Sequence, residues 1–465
     1  MRPNILLLVM DATRSDHLSC YGYHRSTTPH LQRLAEDGML FQNAFSAAPW
    51  TPPSFASLFT GCYPSRHKVS GKNLVFDKDL VTLPQVLLEN GYNTSCFSTT
   101  ASINIVRGFS KGFDNFVEIW RRSKEIRDFD IKNIGTIVKK VVYGRDKYTY
   151  YMNRMIQKWI KRNSLSGKPF FICAHYHNPH SPYKPPKPFN KAFCEAAANQ
   201  YDGEKLNFLS RRGGYSYMAK QVSVTEEEFD IIKTWYDGEI AYLDFRINEL
   251  IQYIKDLGLY ENTLTIITAD HGENFGEHGL MYHQFCLYDT LIHVPLVVVW
   301  PRLFKGGGEI TNLVSLVDLF PTILEILNID VSGSGHLDGK SFASFKNEEY
   351  HPCIFAEYEP SRGVLGIFQT KYPEFDYSVY DRSIKCIRTK NYKFIQYSDG
   401  YEELYDVQND AQERQNVLER YSEVSDELKQ RLKHYTDSFG RDREVGIVVE
   451  EDEEVRKNLR SLGYL

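Results

Sequence analysis

The stretch N-I-L-L-L-V-M-D, residues 4–11, is an apolar run that stops at a carboxylate. A strand with one wet face alternates polar and apolar residues; a strand buried on both faces, as at the centre of a parallel sheet, does not. The run therefore predicts a central parallel strand with Asp11 at its carboxyl end, the edge where open α/β sheets bind ligands. It is too short, and ends too abruptly in Asp11, to read as a signal peptide, and the apolar run 294–300 falls far short of a membrane span.

Working outward, further buried strands are predicted at 92–98, 169–177, 263–269 and 294–300. Between them lie helices at 28–38 and 82–91, each with a cap before it and a glycine after it. A capping box at Thr225 and Glu228 opens a long helix whose apolar face steps by three and four through Phe229, Ile232, Tyr236, Ile240, Leu243, Ile247, Leu250, Ile254 and Leu257. Asp244, beside that stripe, reads as a structural or surface carboxylate. A helix at 317–329 closes a first domain, 1–345. This alternation predicts an α/β fold with a large, mostly parallel sheet sandwiched by helices. In a smaller α+β domain, 346–465, residues 384–395 and 402–407 alternate like antiparallel strands, followed by a charged helix at 422–438 and an acidic tail.

With 465 residues and a net charge of −5, the chain can bury a large core and gives no global sign of nucleic-acid binding. Its eight cysteines are scattered with no C-x-x-C pair, which predicts free thiols and, with no leader or membrane span in view, a soluble cytoplasmic protein. Residues 121–162 break the charge balance, with 13 Lys and Arg against 4 Asp and Glu. Such a stretch reads as a solvated helical insertion, or as a surface for an anionic glycan or lipid headgroup. The second reading predicts activity on a polymeric or lipid substrate that falls with salt and with Lys139, Lys140, Lys161 and Arg162 changed to Ser.

The segment T-P-P-S-F-A-S-L-F-T-G, residues 51–61, predicts a short helix with Thr51 as N-cap, two prolines in its first turn and Gly61 as its stop. A hydroxyl at a helix N-terminus stands where anions are favoured and where it can act as a nucleophile. A second strand end carries Asp270 followed by His271. Asp11, Thr51, Asp270 and His271 together form an oxygen- and nitrogen-rich set suited to one divalent ion, with calcium, manganese, magnesium and zinc all open. His175, His177 and His278 could add ligands.

Eight segments in order, N-I-L-L-L-V-M-D, T-G-C-Y-P-S-R-H-K-V, P-F-F-I-C-A-H-Y-H-N-P-H-S-P-Y, L-G-L-Y-E-N-T-L-T-I-I-T-A-D-H-G-E, G-E-H-G-L, V-S-L-V-D-L-F-P-T, L-D-G-K-S-F and E-E-L-Y-D-V, resemble the sulfatase family of the alkaline phosphatase superfamily across nearly the whole chain. The resemblance implies a metal-binding α/β domain, a smaller domain on a four-stranded antiparallel sheet, and hydrolysis of sulfate or phosphate esters. It implies metal ligation by Asp11, Asp270 and His271, with Thr51 where sulfatases place the residue converted to formylglycine. His180 matches a histidine that contacts the ester, His283 lies one residue from a substrate-binding lysine, and Asn73 resembles an asparagine that binds a phosphoryl oxygen.

The departures shape the functional expectation. Ala12 replaces a second aspartate, Phe55 stands where an arginine is expected, and no G-K-W-H stretch follows the second strand. Threonine carries a methyl on Cβ and cannot become formylglycine. The site instead resembles threonine-dependent phosphodiesterases and phosphotransferases. The expected function is therefore metal-dependent hydrolysis or transfer of phosphate or phosphonate-type esters through Thr51, with His180 or His283 assisting the leaving group. Two alternatives are a sulfate-ester hydrolase with formylglycine at Cys62, which heads the short C-Y-P-S-R signature, and an inactive binding protein on the same fold.

Overall fold

The computed structural model describes residues 2–122, 146–193, 203–303, 306–330, 335–343, 350–439 and 452–462. Its chain-order strands are β1 (Asn4–Met10), β2 (Met39–Phe45), β3 (Asn93–Ser98), β4 (Asn115–Glu118), β5 (Phe170–Tyr176), β6 (Thr263–Ala269), the short hairpin β7 (Asn274–Phe275) and β8 (Met281–Tyr282), β9 (Leu296–Val299) and β10 (Gly308–Ser315). Eight of them form one sheet in the order β10-β2-β9-β6-β1-β5-β3-β4. As its composition requires, β1 lies in the middle, buried throughout and parallel to both β5 and β6. β9 runs antiparallel to β6 and β2, so the sheet is mostly parallel. The connection between β6 and β9 passes through the β7–β8 hairpin and a helical turn at Asp289–Ile292.

The helices keep most of their expected boundaries. Thr225 and Glu228 exchange the two bonds of a capping box and open the helix Glu226–Asp256. Its apolar stripe is buried as far as Ile254, while Leu257 passes beyond the helix and is exposed. Asp244 is structural and buried: its carboxylate accepts from the backbone N–H of His30 and Leu31, capping helix α1 (Pro29–Asp37). Helix α2 is Thr51–Thr60. Thr51 is its first residue and not its N-cap. Trp50 holds the extended cap position, and with Pro52 and Pro53 missing two amide donors the first turn needs little capping, so the Thr51 hydroxyl is turned elsewhere.

His67 shows how tightly this region is built. It is fully buried, its Nδ1 accepts from the Val69 N–H at 3.1 Å, and Nε2 lies 2.9 Å from Ser57 Oγ of α2. Burial pushes its pKa down to about 3 from the ordinary 6.5. As pH falls below 6.5 the unfolded chain takes up this proton while the folded chain does not, so stability is lost from 6.5 downward at about 1.4 kcal/mol per pH unit for this group. Chemical denaturation between pH 6 and 4.5 should show a shallower decline in His67→Gln than in the parent, by about one proton.

The C-terminal part forms an antiparallel sheet, β11 (Ile354–Tyr358), β12 (Ile384–Arg388), β13 (Tyr392–Tyr397) and β14 (Glu402–Asp406). The helix Ser422–Asp437 covers it, stacking Tyr435 on Phe355 at 3.8 Å. Lys393 on β13 is fully buried and pairs with Asp289 and Glu413, each at 2.8 Å, so this sheet is ionically tied to the loop that follows β8. The expected acidic tail is only partly a tail. The helix Glu453–Leu462 packs Val455 and Leu459 into the core, and Arg121 pairs with Asp452 at 2.7 Å. Residues 123–145, with Lys139 and Lys140, and the 345/346 boundary lie outside the described residues. No described helix is long and apolar enough to cross a membrane.

Candidate metal centre and ester site

The carboxyl ends of β1, β5 and β6 converge, and register alone explains why. Met10 pairs with Ala269 and Tyr176, so Asp11, Asp270 and the end of β5 come level at one edge. Ala12 then takes a left-handed backbone, φ 54°, held by Tyr236, whose hydroxyl donates to Ala12 O at 2.7 Å and accepts from Arg14 N at 2.9 Å. This turn reverses the chain directly after Asp11. Asp270 Oδ1 accepts from the backbone N–H of His271 at 3.0 Å and of Ala12 at 3.3 Å. Its Oδ2, like Asp11 Oδ1, is buried with no hydrogen-bond partner among the described residues.

Thr51, His271 and His175 close around these carboxylates. Thr51 Oγ1 lies 3.2 Å from His271 Nε2, and that nitrogen is 3.4 Å from Asp11 Oδ1 and 3.6 Å from Asp270 Oδ2. His271 Nδ1 lies 2.8 Å from Gly272 O, which fixes the proton on Nδ1 and leaves the Nε2 lone pair facing the carboxylates. The loop is pinned behind: Gly272 N and Glu273 N donate to Leu291 O and Thr290 O. A side chain at 272 would meet Thr290 O at 2.0 Å, so only glycine fits there. On the other flank, His175 Nε2 is 3.5 Å from Asp11 Oδ2, and with Asp270 these residues form a buried three-residue group spaced to hold a metal ion. Burial, then the charges of Asp270 and Glu273, pushes Asp11 well above the usual carboxylate range, and burial pushes His175 down to about 4. A divalent cation relieves that repulsion, and the donor set of carboxylate, imidazole and hydroxyl fits one.

A row of imidazoles lines one side. The rings of His271 and His283 are 4.5 Å apart, His283 and His180 4.9 Å, and His180 and His177 4.7 Å. Burial lowers His177, His180 and His271, so these rings carry no net charge near neutrality. His283 Nδ1 is 3.0 Å from Glu273 Oε1, and Tyr183 donates to Glu273 Oε2 at 2.9 Å. His177 Nδ1 sits 3.1 Å from Asp11 Oδ2.

The structure thus brings together Asp11, Thr51, Asp270, His271, His180 and His283. It leaves three other candidates apart. Asn73 spends its amide on its own loop, donating to Lys68 O and Val75 O and accepting from Val75 N. His278 is exposed and stacks on Tyr288 at 3.6 Å. Cys62 follows the far end of α2, about 15 Å from Thr51 along the helix. Its buried thiol lies against His336 O and is pushed up to about 12, mainly by burial. Two groups escaped the sequence reading. Glu273 could have been found from its place in D-H-G-E. Lys147, which pairs with Glu239 at 3.1 Å and donates to His180 O, sits within the basic stretch with nothing in its sequence surroundings to mark it.

Comparison with known proteins agrees with this geometry. Residues 3–329 match the family model described as Sulfatase, and residues 276–438 match "N-sulphoglucosamine sulphohydrolase, C-terminal". Arylsulfatase K of Bos taurus is 26% identical over 463 residues, covering 93% of this chain and 81% of its own. A phosphonate monoester hydrolase of Agrobacterium radiobacter superposes with a TM-score of 0.72 at 21% identity, covering 97% of this chain and 100% of its own. A protein solved with its substrate D-glucosamine-2-N,6-O-disulfate gives 0.71 at 19% identity, over 94% of this chain and 98% of its own. With an alkaline phosphatase-like sheet, a buried Asp/His/Asp group at its carboxyl edge and a family match over most of its length, the chain belongs to the sulfatase family of ester hydrolases.

Proposed function

We propose that the chain hydrolyses sulfate or phosphoryl esters at one divalent metal ion, with the unmodified Thr51 hydroxyl as nucleophile. The observation that carries this is the position of Thr51 Oγ1, at the start of α2 and 3.2 Å from His271 Nε2, beside the Asp11–Asp270 pair. When bound, a divalent ion lowers the pKa of that hydroxyl and offsets charge on the ester oxygens. Asp11, Asp270 and His271 would hold it. Thr51 Oγ1 gives its proton to the ring of His180 or His283 and forms a bond to sulfur or phosphorus, the bond to the ester oxygen breaks, and the same ring passes that proton to the departing oxygen. Water then cleaves the threonine ester, returning the free hydroxyl and releasing the acid. The N-terminal amides of α2 favour the developing negative charge.

The name of the arylsulfatase relative supports a sulfate ester, and the substrate in the disulfated-glucosamine structure supports a sugar carrier. The threonine supports phosphoryl esters, because it cannot become the formylglycine that sulfatases place at this position. A panel of 4-nitrophenyl sulfate, phosphate, phenylphosphonate and bis-phosphate, assayed with protein of verified intact mass, separates these. Turnover by protein of unmodified mass is expected. Failure to turn over any ester with metal bound would leave a binding protein on this fold, and a formylglycine mass at residue 62 in active protein would shift the chemistry away from Thr51.

A further inference from the structure

We infer that His175 is a further protein ligand of the centre, and that the centre takes a nitrogen-preferring first-row ion such as zinc, iron or cobalt in preference to calcium or magnesium. This rests on the proposed metal-dependent site, and neither the family match nor any relative's name assigns a role to His175.

His175 lies on β5 in the middle of the sheet, fully buried, where the pattern of its neighbours Ile172, Cys173, Ala174 and Tyr176 calls for an apolar residue. Both of its ring nitrogens lack a hydrogen-bond partner among the described residues. Buried polar atoms left unpaired are costly, a cost that a leucine or valine here would avoid. Two other orphaned atoms, Asp11 Oδ1 and Asp270 Oδ2, share the same small volume. His175 Nε2 is 3.5 Å from Asp11 Oδ2 and 3.9 Å from Asp270 Oδ2. The packing fixes the ring, with Phe55 edge-on at 5.2 Å and Thr99 donating to the His175 carbonyl at 2.8 Å.

His271 stands on the other flank, its Nε2 at 3.4 and 3.6 Å from the same two carboxylates. Two imidazoles therefore bracket two carboxylates, with spacings in the roughly 3–4 Å range that separates neighbouring donors around one ion. Calcium and magnesium seek all-oxygen shells, whereas imidazole donors suit zinc, iron and related ions. At residue 12, directly after Asp11, an alanine supplies no further oxygen donor. The donor set has moved from oxygen towards nitrogen.

The test is metal binding, read without turnover. Protein stripped with a chelator is titrated calorimetrically with Zn(II), Co(II), Ca(II) and Mg(II), and the visible absorption of the Co(II) form is recorded. One equivalent of Zn(II) or Co(II) should bind, undisplaced by a hundredfold excess of Ca(II). His175→Gln and His175→Ala should shift the Co(II) bands and weaken Co(II) binding at least tenfold while circular dichroism stays the same. Preferential Ca(II) or Mg(II) binding overturns the inference, as do unchanged Co(II) bands and affinity in both folded variants. If the variants fail to fold, the competition on the unaltered protein still decides. Ester turnover by a calcium-loaded protein would sink this inference and spare the proposed function; tight, His175-dependent Co(II) binding without turnover of any ester would do the reverse.

Discussion

Thr51→Ala should lower kcat on the best ester substrate by a factor of about 1,000 or more, the scale on which loss of a covalent nucleophile is felt. Thr51→Ser keeps the hydroxyl and should stay within about tenfold of the parent. The reason is positional. Thr51 Oγ1 is the hydroxyl set against His271 Nε2, and α2 is locked in place by Ser54 Oγ, which donates to Asp270 O at 2.7 Å. Removing the hydroxyl takes one donor and leaves Asp11, Asp270 and His271, so the variant should still bind the metal, more weakly than the parent, while its turnover is lost. Were formylglycine at Cys62 the working group, Thr51→Ala would remain active and Cys62→Ala would be dead. The burial of Cys62 at the opposite end of α2 argues for the first pattern.

The second large effect concerns stability. Lys393→Met should cost about 3–5 kcal/mol, because it leaves buried Asp289 with only the more distant Arg388, at 3.4 Å, and takes from buried Glu413 its Lys393 partner. Lys393 is fully buried, and burial with nearby charge already holds Glu413 up at about 7. Glu413 also receives the Asp289 N–H at 2.6 Å, so the loop and the C-terminal sheet share the loss. Denaturant unfolding of the single variant should show the drop. Adding Glu413→Gln should recover about 1 kcal/mol, since the buried carboxyl left without Lys393 is then replaced by a neutral amide. A Lys393→Met protein as stable as the parent would mean the cluster contributes nothing to joining the two parts.

How far the molecule could be read beforehand depended on burial. β1, β5 and β6 are buried on both faces, so their composition announced them and their polar ends exposed Asp11, Asp270 and His271. β2, β4 and β10 lie at or near the sheet's edges, where Gln42, Asn43 and Thr311 are tolerated, and their mixed composition hid them. Thr51 was legible because prolines and a glycine bracket its helix, although its exact place in the first turn depended on where Trp50 packed. Asn73 follows a different rule. A side-chain amide is spent on whichever backbone groups lie nearest, and its own turn reached it first. Lys147 gains meaning only from what the fold places beside it, and His175, a candidate ligand by sequence, finds its carboxylate neighbours there.

The central position of β1 also sets a timetable. Leu6 pairs with Ile172 on one side and Thr265 on the other, partners more than 160 and 250 residues downstream. On a ribosome, this buried apolar strand must wait without both neighbours until its second partner has emerged. Pairings at such sequence distances are slow to form and leave sticky intermediates exposed in the meantime. Asp11 is translated early, yet it meets Asp270 only when that last strand slides in beside β1. A chain cut before residue 270 therefore carries Asp11, Thr51 and His175 but neither Asp270 nor His271, and the centre cannot assemble until β6 is in place.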